Sequence, residues 1–384
     1  MLKNFWYVVE DCANVGTSPK KVTVLGQDLV LFRKGSDGRV VALSNLCVHR
    51  MGSLARGTVD GDCVRCPYHG WTFGADGACT SIPANPPGTP IPKKARVDSY
   101  PVEERYGWVW VFLGDLPESE RPTIPALPEF GQPGWRAISG QFTWKAHYSR
   151  VVENGADIAH APFVHSNSFG NRDNPVVPEH EVKADEHSLS TSLVLESPAP
   201  RGLWKFVRRE RSKVSVSVTI HMPTVVRLDL GFGGKGWRNI VFDANTPIDE
   251  STTLTRYIQI RNFFTGSWAD RDAHRRMMQI FHEDQPTVES QVPKVVPYEL
   301  GAELSVKSDA MALAHRRLRK KYIDMGYCVD AKKARHAYEE ENRAVVIPSP
   351  LRRAPDLKKA WVLDEVPVVE PHGIKGPAAI AAEE

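Results

Sequence analysis

Two short runs decide the fold: Cys47-Val48-His49-Arg50, and then Cys66-Pro67-Tyr68-His69-Gly70-Trp71. The pattern is Cys-x-His, a gap of 16 residues, then Cys-x-x-His. Two thiols and two imidazoles on two loops of a β-rich region can enclose a metal centre. A tetrahedral zinc can use the same four ligands. A [2Fe–2S] cluster can take two Cys on one iron and two His on the other, and the neutral imidazoles raise its potential above that of an all-cysteine cluster. Cys63 makes a Cys-x-x-Cys with Cys66, but it and Cys79 read as buried apolar thiols.

The surroundings are short strands. Val22–Leu25, Leu29–Phe32 and Val40–Leu43 are β-rich runs separated by Gly-Gln-Asp and Gly-Ser-Asp-Gly turns. Tyr106–Leu113 closes the unit, with Trp108, Trp110 and Phe112 on one face and Val109, Val111 and Leu113 on the other, as in a strand buried on both sides. Pro117, Pro122, Pro125 and Pro128 then read as an interdomain linker. Beyond residue 135, Ser192–Leu195 and Val214–Ile220 read as strands, and Trp268–Gln285 and Ser308–Met325 as helices. From Ser349 the chain is rich in Pro, Ala and charge and reads as a tail that wraps a neighbour or stays mobile.

A second constellation lies at Val152–His165, which holds Asn154, Asp157, His160 and His165. Two His and one carboxylate on one face of Fe(II) leave positions open for O2. On a regular helix His160 and His165 would point about 140° apart. Pro162 between them disfavours a continuous helix, so a break near it is expected to bring the rings together. Asp157 shares a face with His160 if that stretch is helical, and its carboxylate can orient a ligating imidazole.

The two constellations together resemble the Rieske non-haem iron oxygenases, over roughly residues 5 to 345. The motifs carrying this are Cys-x-His-Arg, Cys-Pro-Tyr-His-Gly-Trp and Asn-x-x-Asp-x-x-His-x4-His. The first loop departs from the family at Met51, where glycine is common. The resemblance implies an α+β chain. An all-β Rieske [2Fe–2S] domain over residues 1–116 precedes a helix-grip catalytic domain, an antiparallel sheet closed by a long helix, over 117–348. A C-terminal tail fills 349–384.

It implies a [2Fe–2S] cluster on Cys47, His49, Cys66 and His69, and a mononuclear Fe(II) on His160, His165 and a downstream carboxylate. Phe281–Gln291 resembles the family's Glu-Asp run followed by Glu-x-Gln, which gives Asp284 as that ligand, Glu283 as the fallback, and a helix kinked beyond them at Pro286. Asp157 is implied to bridge to a cluster histidine of a neighbouring subunit, with Asn154 as a nearby amide. The activity implied is O2-dependent hydroxylation or oxidative demethylation of an aromatic or polycyclic small molecule, with cis-dihydroxylation as the alternative. Electrons would come from NAD(P)H through a separate reductase, with or without a ferredoxin, and pass through His69 and Asp157 in a homotrimer. A Rieske electron carrier would leave the second constellation unexplained, and a helix-grip binding protein would leave the first.

Other features argue against other classes. Gly231-Phe232-Gly233-Gly234-Lys235-Gly236 has the spacing of a dinucleotide loop, but strand-like runs on both sides make it a hairpin. The net charge of +3 over 384 residues gives no reason to expect nucleic acid or an anionic membrane as partner. The start lacks signal-peptide features and no apolar run approaches a membrane span, so a cytoplasmic protein is expected. His315–Lys321 is a basic run on a helix, read as a solvated face or, alternatively, a docking or subunit contact.

Overall fold

The computed structural model describes residues 1–196, 213–232 and 236–370. The first part is all β: β1 (Phe5–Asp11), β2 (Lys20–Val24), β3 (Gln27–Arg33), β4 (Val40–Ser44), β5 (Thr58–Asp60), β6 (Cys63–Arg65), β7 (Thr72–Phe73), β8 (Cys79–Ser81), β9 (Ser99–Tyr100), β10 (Val102–Arg105) and β11 (Trp108–Leu113). They form three antiparallel sheets, ordered β1-β11-β10, β2-β3-β4-β9 and β5-β6-β7-β8. Every residue of β11 is buried, as its two-faced pattern requires. Val109, Val111 and Leu113 enter the core that β1, β2 and β3 share with the helices of the second part. Trp108 and Trp110 face the other way, against Ile240, Phe242, Ile258 and Ile260 of the second part. Each buried indole contributes roughly 4–6 kcal/mol of gross transfer energy to that contact.

The second part is a seven-stranded antiparallel sheet. Its strands are β12 (Arg136–Trp144), β13 (Lys183–Ala184), β14 (Ser188–Glu196), β15 (Lys213–His221), β16 (Val225–Phe232), β17 (Trp237–Pro247) and β18 (Thr253–Arg261). Their order is β12-β18-β17-β16-β15-β14-β13. The β16–β17 pairing makes the glycine-rich run a hairpin; its tip, 233–235, lies outside the described residues. The helices are α1 (Tyr148–Ala156), α2 (Ala161–Val164), α3 (Asp270–Ser290), α4 (Ala310–Asp324) and α5 (Ala331–Glu339). The long helix α3 lays Met277, Phe281 and Val288 on Phe142, Trp144, Val241 and Tyr257 of the sheet. It continues a further turn past Pro286 to Ser290. Among the described residues no helix is long and apolar enough to cross a membrane.

Two segments differ from expectation. The proline-rich stretch is a packed strap rather than a free linker. Ile124 and Leu127 are buried against the Trp108–Trp110 face. Its carbonyls accept hydrogen bonds from Trp6 Nε1 at Pro122 (2.9 Å) and Tyr106 Oη at Pro125 (3.1 Å). The fixed φ of proline suits such an extended, side-chain-anchored path.

The tail, as far as Glu370, returns to the first domain of its own chain. Its Leu363, with Val346 just before the tail, enters the core that holds Cys47 and Cys66. Strands β19 (Val345–Val346) and β20 (Asp364–Glu365) pair in parallel. Arg352 forms two 2.8 Å bonds to Asp98, with the two side chains 7% and 2% exposed. Residues 371–384 lie outside the described residues.

The basic run is also divided. His315, Arg316 and Arg319 of α4 are buried, and Arg316 grips Glu153 of α1 through two bonds of 2.6 and 2.8 Å. That grip outweighs the effect of burial and holds the Glu153 carboxyl down at about 2. The inner half of the run therefore locks α1 in place and is not a solvated face.

Candidate metal centres

The two cysteine loops share one backbone plan. The Cys47 carbonyl accepts from Met51 N (2.8 Å) and the Cys66 carbonyl from Gly70 N (3.1 Å). Cys47 N donates to the Gly52 carbonyl (2.9 Å) and Cys66 N to the Trp71 carbonyl (2.8 Å). The fifth residue of each loop is left-handed: Gly70 at φ 73° and Met51 at φ 55°. Glycine takes this conformation freely, whereas a methionine carries a cost of about 1–2 kcal/mol. Met51 therefore departs from glycine in composition while keeping the same turn.

These loops bury both thiols, each 2% exposed. The His49 ring stacks on Trp71 (4.6 Å, 6°) and meets His69 edge to face (4.5 Å, 68°). His49 Nδ1 is buried without a hydrogen-bond partner among the described residues. Partial burial, His69 and Arg50 hold its imidazole below the usual range, favouring the neutral form a metal requires. Two buried thiols, two imidazoles and an orphaned ring nitrogen fit a [2Fe–2S] cluster. His69 and Tyr68 are exposed, so this end of the domain faces outward.

The second constellation forms through a break in the helix. α1 ends at Ala156, and Asp157 follows with extended backbone (φ −75°, ψ 138°). Its carboxylate accepts from Ala159 N at 2.8 Å, an Asx turn that redirects the chain. The break therefore falls at Asp157, earlier than expected. Pro162 sits in the first turn of α2, where no N–H is needed. Asp157 and His160 do not share a helical face, yet Asp157 Oδ2 comes within 3.3 Å of His160 Nδ1. That is ion-pair distance without hydrogen-bond alignment, since His160 Nδ1 has no hydrogen-bond partner among the described residues.

The turn brings three acceptor atoms together. His160 Nε2 and His165 Nε2 are 3.2 Å apart, and Asp284 Oδ1 lies 3.4 and 3.3 Å from them. Ligands at right angles about a metal roughly 2.1 Å away sit about 3 Å apart, so the triangle fits one face of a mononuclear iron site. Asn154 Nδ2 approaches the same Asp284 oxygen at 3.4 Å.

Glu283 stands behind the triangle. Its Oε2 is 2.8 Å from His165 Nδ1 and accepts from Ser168 Oγ (2.8 Å), while Oε1 accepts from Gln279 (2.9 Å). A carboxylate on the far nitrogen fixes the ring and makes it more basic. This orienting role was not legible in the motif. What separates the two acids is the buried stripe of α3: Ala273, Met277, Phe281, Asp284 and Val288. Asp284 holds a position where that spacing calls for an apolar residue. Glu283 is one residue off the stripe.

The metal-free triangle is held by protons. Burial opposes a charge on His160, but Asp157 and Asp284 outweigh it and hold the ring up at about 9. Asp284, opposed by burial but bonded to both imidazoles, is held down at about 2. The His160 proton stabilises the metal-free fold fully below the ring's ordinary 6.5, and this is lost as pH rises through about 9. The Asp284 contribution is present above 3.8 and lost as pH falls through about 2. An ion entering the site must displace the His160 proton, so ferrous affinity should climb across pH 6.5–9. Titrations at pH 6, 7.5 and 9 test this; a flat profile would remove His160 from the site.

A cavity of about 390 Å³ opens beside α2, lined by Ile158, Ala161, Pro162, Phe169, Val194 and Leu195 among others. Phe169 joins it to the triangle by stacking on His165 (4.7 Å, 27°). Most of this lining comes from residues 158–178, which begin at the Asp157 turn, and the rest from the ends of β14 and β15.

Comparison with known proteins agrees with both centres. The Rieske [2Fe-2S] domain family matches residues 5–101, and the vanillate O-demethylase oxygenase C-terminal domain family matches 144–325. The chain is 30% identical over 326 residues to methylxanthine N1-demethylase NdmA of Pseudomonas putida, covering 82% of this chain and 88% of that one. It is 29% identical to the toluene-4-sulfonate monooxygenase iron-sulfur subunit TsaM1 of Comamonas testosteroni, covering 79% and 94%. The solved structure of Pseudomonas putida NdmA with caffeine superposes with a TM-score of 0.70 at 29% identity, covering 84% of this chain and 91% of that one. The chain belongs to the Rieske non-haem iron oxygenases, as an oxygenase component whose cofactors are a [2Fe–2S] cluster and a mononuclear iron.

Proposed function

We propose that this oxygenase hydroxylates or oxidatively demethylates a methyl-bearing aromatic or polycyclic molecule, and that Cys47, His49, Cys66 and His69 hold its cluster and His160, His165 and Asp284 its mononuclear iron. The observation that carries this is the His160–His165–Asp284 triangle, with the Phe169 ring lying between His165 and a mostly apolar cavity. Likeness to demethylases and to a toluene-4-sulfonate monooxygenase supports the substrate class. When bound, the cluster supplies single electrons and the mononuclear iron supplies O2 activation. Glu283 keeps the His165 ring turned so that Nε2 faces the triangle. The apolar walls seat the ring and limit water at the reacting carbon.

In this reading residues 1–116 serve the cluster and 117–348 the mononuclear site. Exposed His69 meets the partly exposed Asp157 of a neighbouring copy in a homotrimer in the cytoplasm, and a reductase or ferredoxin delivers electrons drawn from NAD(P)H.

The test is turnover of the metal-loaded protein with a reductase and NADH, on vanillate, caffeine and toluene-4-sulfonate. Formaldehyde release matched to NADH consumption marks demethylation, and a hydroxymethyl product marks hydroxylation. A cis-diol would move the assignment to dihydroxylation. No product from any aromatic probe would overturn it. Asp157→Asn, whose amide oxygen can still accept from Ala159 N and keep the turn, should hold both metal centres while turnover falls roughly 10–100-fold. Unchanged turnover in that variant would remove Asp157 from the electron path.

A further inference from the structure

Midway along β17 an acid faces the interior, and among the described residues its Oδ1 has no hydrogen-bond partner. Phe242 and Ala244, on either side of Asp243, are 0% and 1% exposed and turn toward the interdomain core. Alternation turns Asp243 to the opposite face, with Val241, under α1 and α3. Across the ladder it pairs with Val226 and Tyr257. Val226 lies against Gly155, the residue after Asn154, and the Tyr257 ring packs on Phe281 (5.4 Å), one turn before Asp284. Asp243 therefore sits beneath the two helices that bring the iron triangle together.

Its polar neighbours are already engaged. The Tyr257 hydroxyl is bonded to His274 Nδ1 (2.7 Å). Asn245 gives its amide to the Thr224 carbonyl (3.0 Å) and accepts from Thr255 (2.5 Å). Asp243 Oδ1, fully covered, has no hydrogen-bond partner among the described residues. Asp243 nevertheless keeps part of its surface accessible, as do Leu228 of β16 and Met278 of α3 on the same side. These three side chains keep accessible surface where α3 crosses the sheet. Burial alone pushes the carboxyl up to about 7, so near neutrality it can both donate and accept.

We propose that Asp243 is a specificity-determining residue for the oxygenase reaction, seating a planar aromatic substrate through a hydrogen bond to a ring N–H, carbonyl or hydroxyl. This rests on the function proposed above. An unsatisfied buried acid weakens the fold, and a bound substrate would satisfy it.

The experiment compares wild type, Asp243→Leu and Asp243→Asn as metal-loaded enzymes, by melting and by steady-state kinetics with a reductase. The substrate pairs are theobromine with caffeine, and vanillate with its 4-O-methyl ether; in each pair one polar group is capped by methyl. Asp243→Leu should melt at or above wild type. It should raise KM for the uncapped member roughly tenfold or more, while the capped member changes less than threefold. Asp243→Asn should recover much of that loss. A lower melting temperature in both variants would mean that the acid has a structural partner, and would overturn the proposal. Equal KM changes within a pair would overturn it as well. If wild type turns over none of the four, the proposed function fails on these substrates; the melting comparison still separates a free acid, which keeps the inference, from a bonded one, which ends it.

Discussion

Asp284→Ala is expected to abolish turnover, by at least about a thousandfold, while the [2Fe–2S] signal persists. Among the described residues, Asp284 Oδ1 alone closes the triangle with His160 Nε2 and His165 Nε2. Glu283 cannot replace it, because its carboxylate is already committed to His165, Ser168 and Gln279. Iron analysis should fall from about three to about two per chain, with an unchanged Rieske-type EPR spectrum after dithionite reduction. Asp284→Asn keeps the size but removes the charge that offsets a ferrous ion, and should lose nearly as much. A variant still holding about three irons, or turning over within tenfold of wild type, would exclude Asp284 as the third ligand.

The second large effect concerns stability. Asp98 receives two bonds from Arg352 (2.8 Å each), one from Ser349 N (3.0 Å) and one from Ser349 Oγ (2.8 Å). The Arg352 guanidinium also lies over the Trp361 ring at 4.6 Å. Asp98→Ala leaves a buried cation uncompensated, which costs about 3–5 kcal/mol. At about 2.1 cal/mol/K of unfolding entropy per residue, that lowers the melting temperature of a 384-residue chain by roughly 4–6 °C. The double replacement Asp98→Leu with Arg352→Met should recover most of the loss, because no charge is then stranded. Melting followed by circular dichroism and by cluster absorbance should show the visible band bleaching with the fold in Asp98→Ala. A loss below about 1 kcal/mol would mean that water reaches the pair.

The sequence was most legible where chemistry demands a fixed order of residue types. The Cys-x-His and Cys-x-x-His runs lie on matching turns, and the alternation of β11 announced a strand with two buried faces. His160 and His165 were legible as a pair, but the device joining them was misplaced. The chain turns on the Asp157 carboxylate rather than on Pro162, because an Asx turn ends a helix as effectively as a proline. Segments without periodicity were the least legible. The prolines at 117–128 and the residues after 349 have the composition of linkers, yet Ile124 and Leu127 in the first and Leu363 and Val366 in the second give each a buried anchor. A few apolar residues at irregular spacing leave no pattern for periodicity to detect. Helix α5, capped by Asp330 on Lys333 N (3.0 Å), was missed for the same reason, with only Ala334 and Ala337 turned inward. Glu283 shows a further limit, since the sequence names an acid but not the face it occupies.

The return of residues 345–370 to the first domain has a consequence for synthesis. The cluster loops are made before the second domain, but Val346 and Leu363 of the core beneath them are made only after it. At roughly 5–20 residues per second, a ribosome leaves that core unfinished for on the order of ten seconds to a minute. Iron–sulfur delivery that waits for a settled pocket would then follow synthesis of Leu363, and a fragment stopping after β11 would present cysteine loops over an incomplete floor.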